Sequence, residues 1–177
     1  MVFVADWWHF TFLRRTLGVG SMANLDSIDR RLLAELQEEG RVTNVELAQR
    51  VGLTAPPCLR RVRALEEAGY IRGYHAELTP QMMGYGVTVF AHVGLSSQSE
   101  SDLKRFEEQL MQWPEVRECH MLAGETDFVL KIVAADWDEY QKFLTGKLTA
   151  APGVSQVRSS LAIRVSKYAP GVPVDVD

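Results

Sequence analysis

Three arginines, Arg60, Arg61 and Arg63, stand within a stretch from Thr54 to Leu65 that holds no acidic residue. Arginine offers a planar fork of donors that matches phosphate oxygens and the two acceptors on the major-groove edge of guanine. A second grouping is Gly124-Glu125-Thr126-Asp127. Its glycine lets backbone amides approach a small anion, and its carboxylates can pair with an ammonium; those are the two charged ends of a free α-amino acid. Each grouping also has a plainer reading: a solvated arginine face paired with Glu66 and Glu67, and a polar β-turn. His92 and His120 have no carboxylate partner and read as interface residues rather than metal ligands. Cys58 and Cys119 form neither a disulfide framework nor a zinc pattern, and they suit a reducing cytoplasm. No nucleophile–base pairing or phosphate-binding glycine loop stands out, so no catalytic residue, metal or cofactor is expected.

The arginines need a helix to present them. From Leu25, apolar residues recur at helical spacing (Ile28, Leu32, Leu33, Leu36), with Asp26 as N-cap and Gly40 at the close. Thr43-Asn44-Val45-Glu46 is a capping box that opens a short helix carrying Val45, Leu47, Ala48 and Val51. The turn Gly52-Leu53-Thr54 leads to a third helix, capped by Thr54, with Pro56 and Pro57 in its first turn and Gly69 at its end. On a helical wheel Cys58, Leu59, Val62 and Leu65 share one side. Arg60 lies almost opposite, flanked by Pro57, Ala64 and Arg63, with Arg61 at the edge. The pattern is a helix-turn-helix whose last helix fits the major groove of DNA. Its candidate DNA contacts are Thr54, Ala55, Pro57, Arg60, Arg61 and Arg63.

Past Gly69 the segment Tyr70–Leu78 is β-prone and Thr79-Pro80 breaks it, which predicts a linker strand within 70–84. Beyond Gly86 the period becomes two, and strands alternate with amphipathic helices in the order βαββαβ, the last strand running from Val154 to about Val165. The fold class expected is therefore α+β: an N-terminal winged-type helix-turn-helix domain at 24–69 and a C-terminal ferredoxin-like domain at 85–167. The sheet's second face also reads as apolar, which implies a homodimer or a higher even-numbered oligomer. Two tails remain, at 1–23 and 168–177. The first carries Trp7, Trp8, Phe10 and Phe12 and has no assigned role: either Met22 is the true start, or a short helix packs on a partner subunit.

The formal charge of −4 hides an asymmetry. Residues 24–74 carry eight arginines and eight acids, whereas residues 75–177 carry nine bases and fourteen acids. A neutral domain with one basic helix can still meet DNA, because the phosphate field acts within a Debye length, ~8–10 Å at ordinary salt. With 46% hydrophobic and 24% charged residues the composition is globular, and no apolar run approaches the length of a membrane span.

The run from Leu53 through Cys58-Leu59-Arg60-Arg61-Val62 to Ile71, then Gly73-Tyr74, closely resembles the recognition helix and exit of the Lrp/AsnC (feast/famine) family of transcriptional regulators. Gly124–Phe128, Pro152-Gly153-Val154 and the closing Ser159-Ser160 strand with Lys167 fit the same family, so the resemblance spans Leu25 to Lys167. It implies a DNA-binding domain, a linker strand, and a ligand-sensing domain that also builds the oligomer. It places an effector near Gly124, Glu125, Thr126 and Asp127, with Ser159 and Ser160 beside the pocket. The function expected is a sequence-specific regulator, cytoplasmic and nucleoid-associated, that binds double-stranded DNA and responds to an amino acid or related metabolite. Two alternatives are an architectural DNA-binding protein without effector and a haem-pathway decarboxylase. The second would need basic or histidine residues in a tetrapyrrole pocket, against the acidic balance of 75–177.

Overall fold

The computed structural model describes residues 25–176, so the N-terminal extension at 1–23 lies outside the described residues. The chain divides into two compact units: one takes the described residues up to His75 together with those from Ala169 onward, and the other spans Ala76–Tyr168.

The first unit is built on α1 (Ser27–Glu38), α2 (Asn44–Arg50) and α3 (Ala55–Glu67). The predicted capping box is present, Thr43 Oγ1 accepting from the Glu46 amide at 3.3 Å, and the predicted N-cap Asp26 accepts from the Asp29 amide at 2.8 Å and forms a second box with Asp29. Thr54 stands at the N-cap of α3 without a side-chain cap bond. There Pro56 and Pro57 remove two amides from the first turn, so a cap has little to satisfy. Gly52, at φ 74°, takes the left-handed turn between α2 and α3 that a Cβ would penalise. The three helices enclose Leu32, Leu47, Ala48, Val51, Cys58, Val62 and Leu65. Leu59, assigned from the wheel to the buried stripe, is 39% exposed; it lies too far round α3 from Val62 to enter the core.

Polar ties surround that core. Arg31 Nη2 donates to the Arg50 carbonyl at 2.6 Å, satisfying an orphan acceptor at the end of α2, while Arg50 itself pairs with Glu35 and Glu39 of α1. From Ala169 onward the tail returns to this unit. Gln37 Nε2 donates to the Val172 carbonyl at 2.7 Å, and the Val172 amide donates to Gln37 Oε1 at 3.0 Å.

The predicted linker strand is not a strand. Residues 71–79 carry no regular structure, and one 3-10 turn, Pro80–Met83, follows. β-prone side chains make a strand only beside another strand, and none pairs with this segment among the described residues.

The second unit has β1 (Val87–Leu95), α4 (Glu100–Leu110), β2 (Val116–Met121), β3 (Phe128–Ala134), α5 (Trp137–Phe143, continued by a π-helical turn Leu144–Leu148) and β4 (Val154–Leu161). The sheet order β2-β3-β1-β4, antiparallel throughout, is the ferredoxin-like arrangement expected. β4 stops at Leu161, short of the predicted Val165; one further bond, from the Ala162 amide to the Thr88 carbonyl at 2.9 Å, follows it before the chain leaves the sheet.

One face of the sheet is apolar along β1 and β3. Val89, Ala91, Val93, Phe128, Leu130 and Ile132 are each 0% exposed and pack under Phe106, Tyr140 and Phe143 of the helices. The other face is mixed rather than apolar as expected. Phe90, Val129 and Val133 share it with His92 and with a Lys131–Glu118 ion pair at 2.6 Å. The strand alternation was right, but Lys131 and Glu118 fall on the open side and pair across the strands.

Gly86 enters β1 under a tight constraint. Its amide donates to the Ala135 carbonyl, and a Cβ at this position would stand 2.6 Å from that same oxygen. Gly86→Ala should therefore lower stability by ~1–3 kcal/mol, as overpacking against backbone does. Gly124→Ala, where a Cβ meets nothing within 4 Å, should cost much less. Denaturant unfolding of both variants checks this, and equal losses would remove the steric explanation.

Candidate functional site

The recognition helix presents two different surfaces. With Cys58, Val62 and Leu65 buried, Arg60 and Arg63 project outward and are exposed, and with Pro56, Ala64 and Glu67 they line a shallow concavity on the outer side. Arg61 does not join them. Its Nη1 lies 2.7 Å from Asp26 Oδ2 and 2.7 Å from Asp29 Oδ1, both at the start of α1. The hydrogen bonds that Arg61 donates to Asp29 and Asp26 raise its pKa above the usual value, while the Asp29 amide and Arg61 lower that of Asp26. Thr54 is exposed, whereas Ala55 and Pro57 are half-buried in the first turn of α3. The Ala55 carbonyl accepts from Asn44 Nδ2 at 2.9 Å, so α2 holds the leading edge of the recognition helix directly. That bond is not legible in the sequence, because an Asn beside a capping Thr looks like ordinary turn chemistry.

The turn between β2 and β3 is closed by the Leu122 amide donating to the Asp127 carbonyl at 2.8 Å. Gly124 and Glu125 are exposed at its tip, while Thr126 is buried. Asp127 is committed within the chain. Its Oδ2 accepts from the Leu95 amide at 2.6 Å and its Oδ1 from Gln98 Nε2 at 2.8 Å, pinning the turn to the end of β1. Glu125 instead reaches Arg158 of β4 at 3.7 Å, so opposite charges meet at the open edge of this turn. Arg158 escaped the sequence reading because only the strand register, which sets it opposite His92, brings it near the turn.

Ser159 and Ser160 separate. Ser159 pairs with buried Ala91, and its hydroxyl bonds that of Tyr140 beneath the helices; Ser160 pairs with Phe90 on the open face. Burial pushes the Tyr140 hydroxyl above its ordinary pKa. Among the described residues no group of three or more His, Cys, Asp or Glu side chains could hold a metal ion, and no helix is long and apolar enough to cross a membrane.

Comparison with known proteins agrees with both halves. A winged helix-turn-helix DNA-binding profile matches residues 25–72, and the Lrp/AsnC ligand binding domain matches residues 88–172. The leucine-responsive regulatory protein of Rhizobium meliloti is 52% identical over 145 residues, covering 82% of this chain and 93% of that protein. The chain belongs to the Lrp/AsnC family. A Bkd operon transcriptional regulator of Pseudomonas aeruginosa is 43% identical over 143 residues, covering 81% of this chain and 94% of that regulator. Among solved structures, a Neisseria meningitidis transcriptional regulator in complex with L-Met superposes with a TM-score of 0.81 at 36% identity, covering 85% of this chain and 97% of that one. A feast or famine regulatory protein of M. tuberculosis complexed with L-methionine does so at 0.77 and 30%, covering 85% and 99%. This Lrp/AsnC chain is a DNA-binding transcriptional regulator and not an enzyme, which sets aside the decarboxylase alternative.

The two bonds made by Asp127 give the turn a test of its own. Asp127→Ala leaves the Leu95 amide and Gln98 Nε2 without their acceptor, so it should cost ~1–3 kcal/mol. Glu125→Gln, at a fully solvated tip, should change stability little. Thermal unfolding of the two variants compares them.

Proposed function

We propose that the protein is an amino-acid-responsive regulator whose α3 reads operator DNA with Arg60 and Arg63, and whose β2–β3 turn lies beside the effector. The observation that carries the DNA side is the rotation of α3: Arg60 and Arg63 are exposed opposite a filled apolar stripe. Arg60, nearest the centre of the outer surface, is placed for base edges. Arg63 suits a phosphate, and Thr54, Ala55 and Pro57 lie at the end that enters the groove first. Arg61 leaves the contact set, because its guanidinium is already held by Asp26 and Asp29.

For the effector, relatives supply the chemical class: leucine in the names of several similar regulators, and methionine in two similar structures. An aliphatic or thioether α-amino acid needs one anionic and one cationic or amide partner. Exposed Glu125, Arg158 and the Gly124 backbone offer these together, while Asp127 shapes the turn. Ser160 shares the open face, and Ser159 supports the strand from behind. That open face, with Phe90 40% exposed between Val129 and Val133, is where a second copy would pack to form a dimer. A dimer also suits operator reading, since paired recognition helices meet half-sites about one turn, ~34 Å, apart. A DNA-binding role fits a cytoplasmic protein associated with the nucleoid.

Two measurements test the reading. Arg60→Ala should lose discrimination between a selected duplex and an unrelated one, by ~1–3 kcal/mol for a bidentate contact, and Arg63→Ala should lower the salt slope of binding by about one unit. Unchanged discrimination and slope in both would reject the groove assignment. A thermal-shift panel of the twenty amino acids, followed by sedimentation, should show stabilisation by leucine or methionine at millimolar concentration, weakened in Glu125→Gln and Arg158→Gln. Stabilisation by none would favour an architectural DNA-binding role without effector.

A further inference from the structure

We propose that Arg61 is a positioning residue: by bridging Asp26 and Asp29 it sets the rotation at which the recognition helix presents Arg60 and Arg63, and it makes no DNA contact itself. The inference rests on the outward reading of those two arginines.

Three observations carry it. The first is occupancy. One guanidinium nitrogen sits 2.7 Å from each of two carboxylates, with Asp29 only 19% exposed at its side chain. For Arg61 to reach a phosphate it would abandon two charge-assisted bonds and leave two neighbouring carboxylates without their shared cation. Arg60 and Arg63 form no ion pair among the described residues.

The second is placement. Arg61 lines a groove with Leu25, Asp29 and Tyr70, on the α1 side of the recognition helix, whereas Arg60 and Arg63 line the opposite, outer concavity. The two surfaces share only Ala64, so α3 separates them.

The third is double use of the two carboxylates. Asp26 is the N-cap of α1 and Asp29 its third residue, and they already hold each other's amides in the capping box. Arg61 therefore grips the best-fixed point of α1, where the helix dipole also favours negative charge. The buried stripe of Cys58, Val62 and Leu65 sets which side of α3 faces inward, but a stripe of side chains tolerates small rotations. At about 6 Å from a helix axis, a rotation of about 20° moves a side-chain tip by about 2 Å. Such a shift ruins a bidentate contact while leaving the core intact. An ion pair to the side of the stripe removes that freedom.

The test uses the full chain, a duplex selected from a randomised pool on the wild type, and an unrelated duplex of equal length. Three variants are compared: Arg61→Gln, the pair Asp26→Asn with Asp29→Asn, and all three changes together. Asn remains a good N-cap, so the pair removes charge while α1 stays capped. Positioning predicts that Arg61→Gln weakens the selected duplex several-fold, leaves the unrelated duplex unchanged, and keeps the salt slope. The carboxylate pair should do the same, and the triple change should be no worse than either, as coupled residues behave. A direct phosphate contact predicts the reverse: a slope lower by about one unit on both duplexes for Arg61→Gln, and tighter binding when the carboxylates are neutralised. Either result overturns the proposal. Should Arg61→Gln fail to fold, the sign of the carboxylate pair's effect decides alone. Arg60→Ala, run alongside, reports separately on the outward reading: if it keeps full discrimination, that reading fails whatever Arg61 does.

Discussion

Seven side chains decide what the DNA-binding unit can present. Leu32, Leu47, Ala48, Val51, Cys58, Val62 and Leu65 close a core between three short helices, and only one stripe of α3 fits into it. Once that stripe is inside, the outward position of Arg60 and Arg63 follows from helix geometry alone. The bonds around this core restrain what burial leaves loose. Arg31 and Arg50 join α1 to the end of α2, Asn44 holds the first carbonyl of α3, and Arg61 ties α3 back to the cap of α1. These exposed or half-exposed bonds each contribute little to stability. Together they fix how α3 is set against α1 and α2.

The second unit solves a different problem. β1 lies between β3 and β4, so its inner residues are covered on all sides, and its outer end is free to anchor the β2–β3 turn through the Leu95 amide and Asp127. A turn held in this way keeps Gly124 and Glu125 exposed without leaving them adrift. Arg158 then comes to the same edge from β4. This edge is thus assembled from the end of β1, the β2–β3 turn and β4, which are far apart in sequence.

Much of this was legible in the sequence. The N-cap at Asp26, the Thr43–Glu46 capping box, the glycine turn, the outward face of Arg60 and Arg63 and the βαββαβ order depend on local pattern and spacing, and the structure reproduces them. What the pattern could not show are the partners of long polar side chains. Arg61 and Arg60 are neighbours of identical type, and only the place of Asp26 and Asp29, more than thirty positions earlier, separates their roles. Likewise Asp127 read as a free carboxylate until the Leu95 amide and Gln98 were seen to hold it. Ser159 and Ser160 read as one feature, although a strand must send them to opposite faces. The linker failed for the converse reason: β-prone residues were present, but a strand is a property of two segments.

The bond between Gln37 and Val172 joins residues 135 positions apart. In the order of synthesis, α1 to α3 leave the ribosome early, and the whole of Ala76–Tyr168 must emerge before the tail that Gln37 holds. The DNA-binding unit is thus the first to emerge and the last to be completed, with the ligand-binding unit made in between. A chain cut short after Lys167 would keep every helix and strand of both units, yet its α1 would lack the backbone partner that Gln37 is shaped to take.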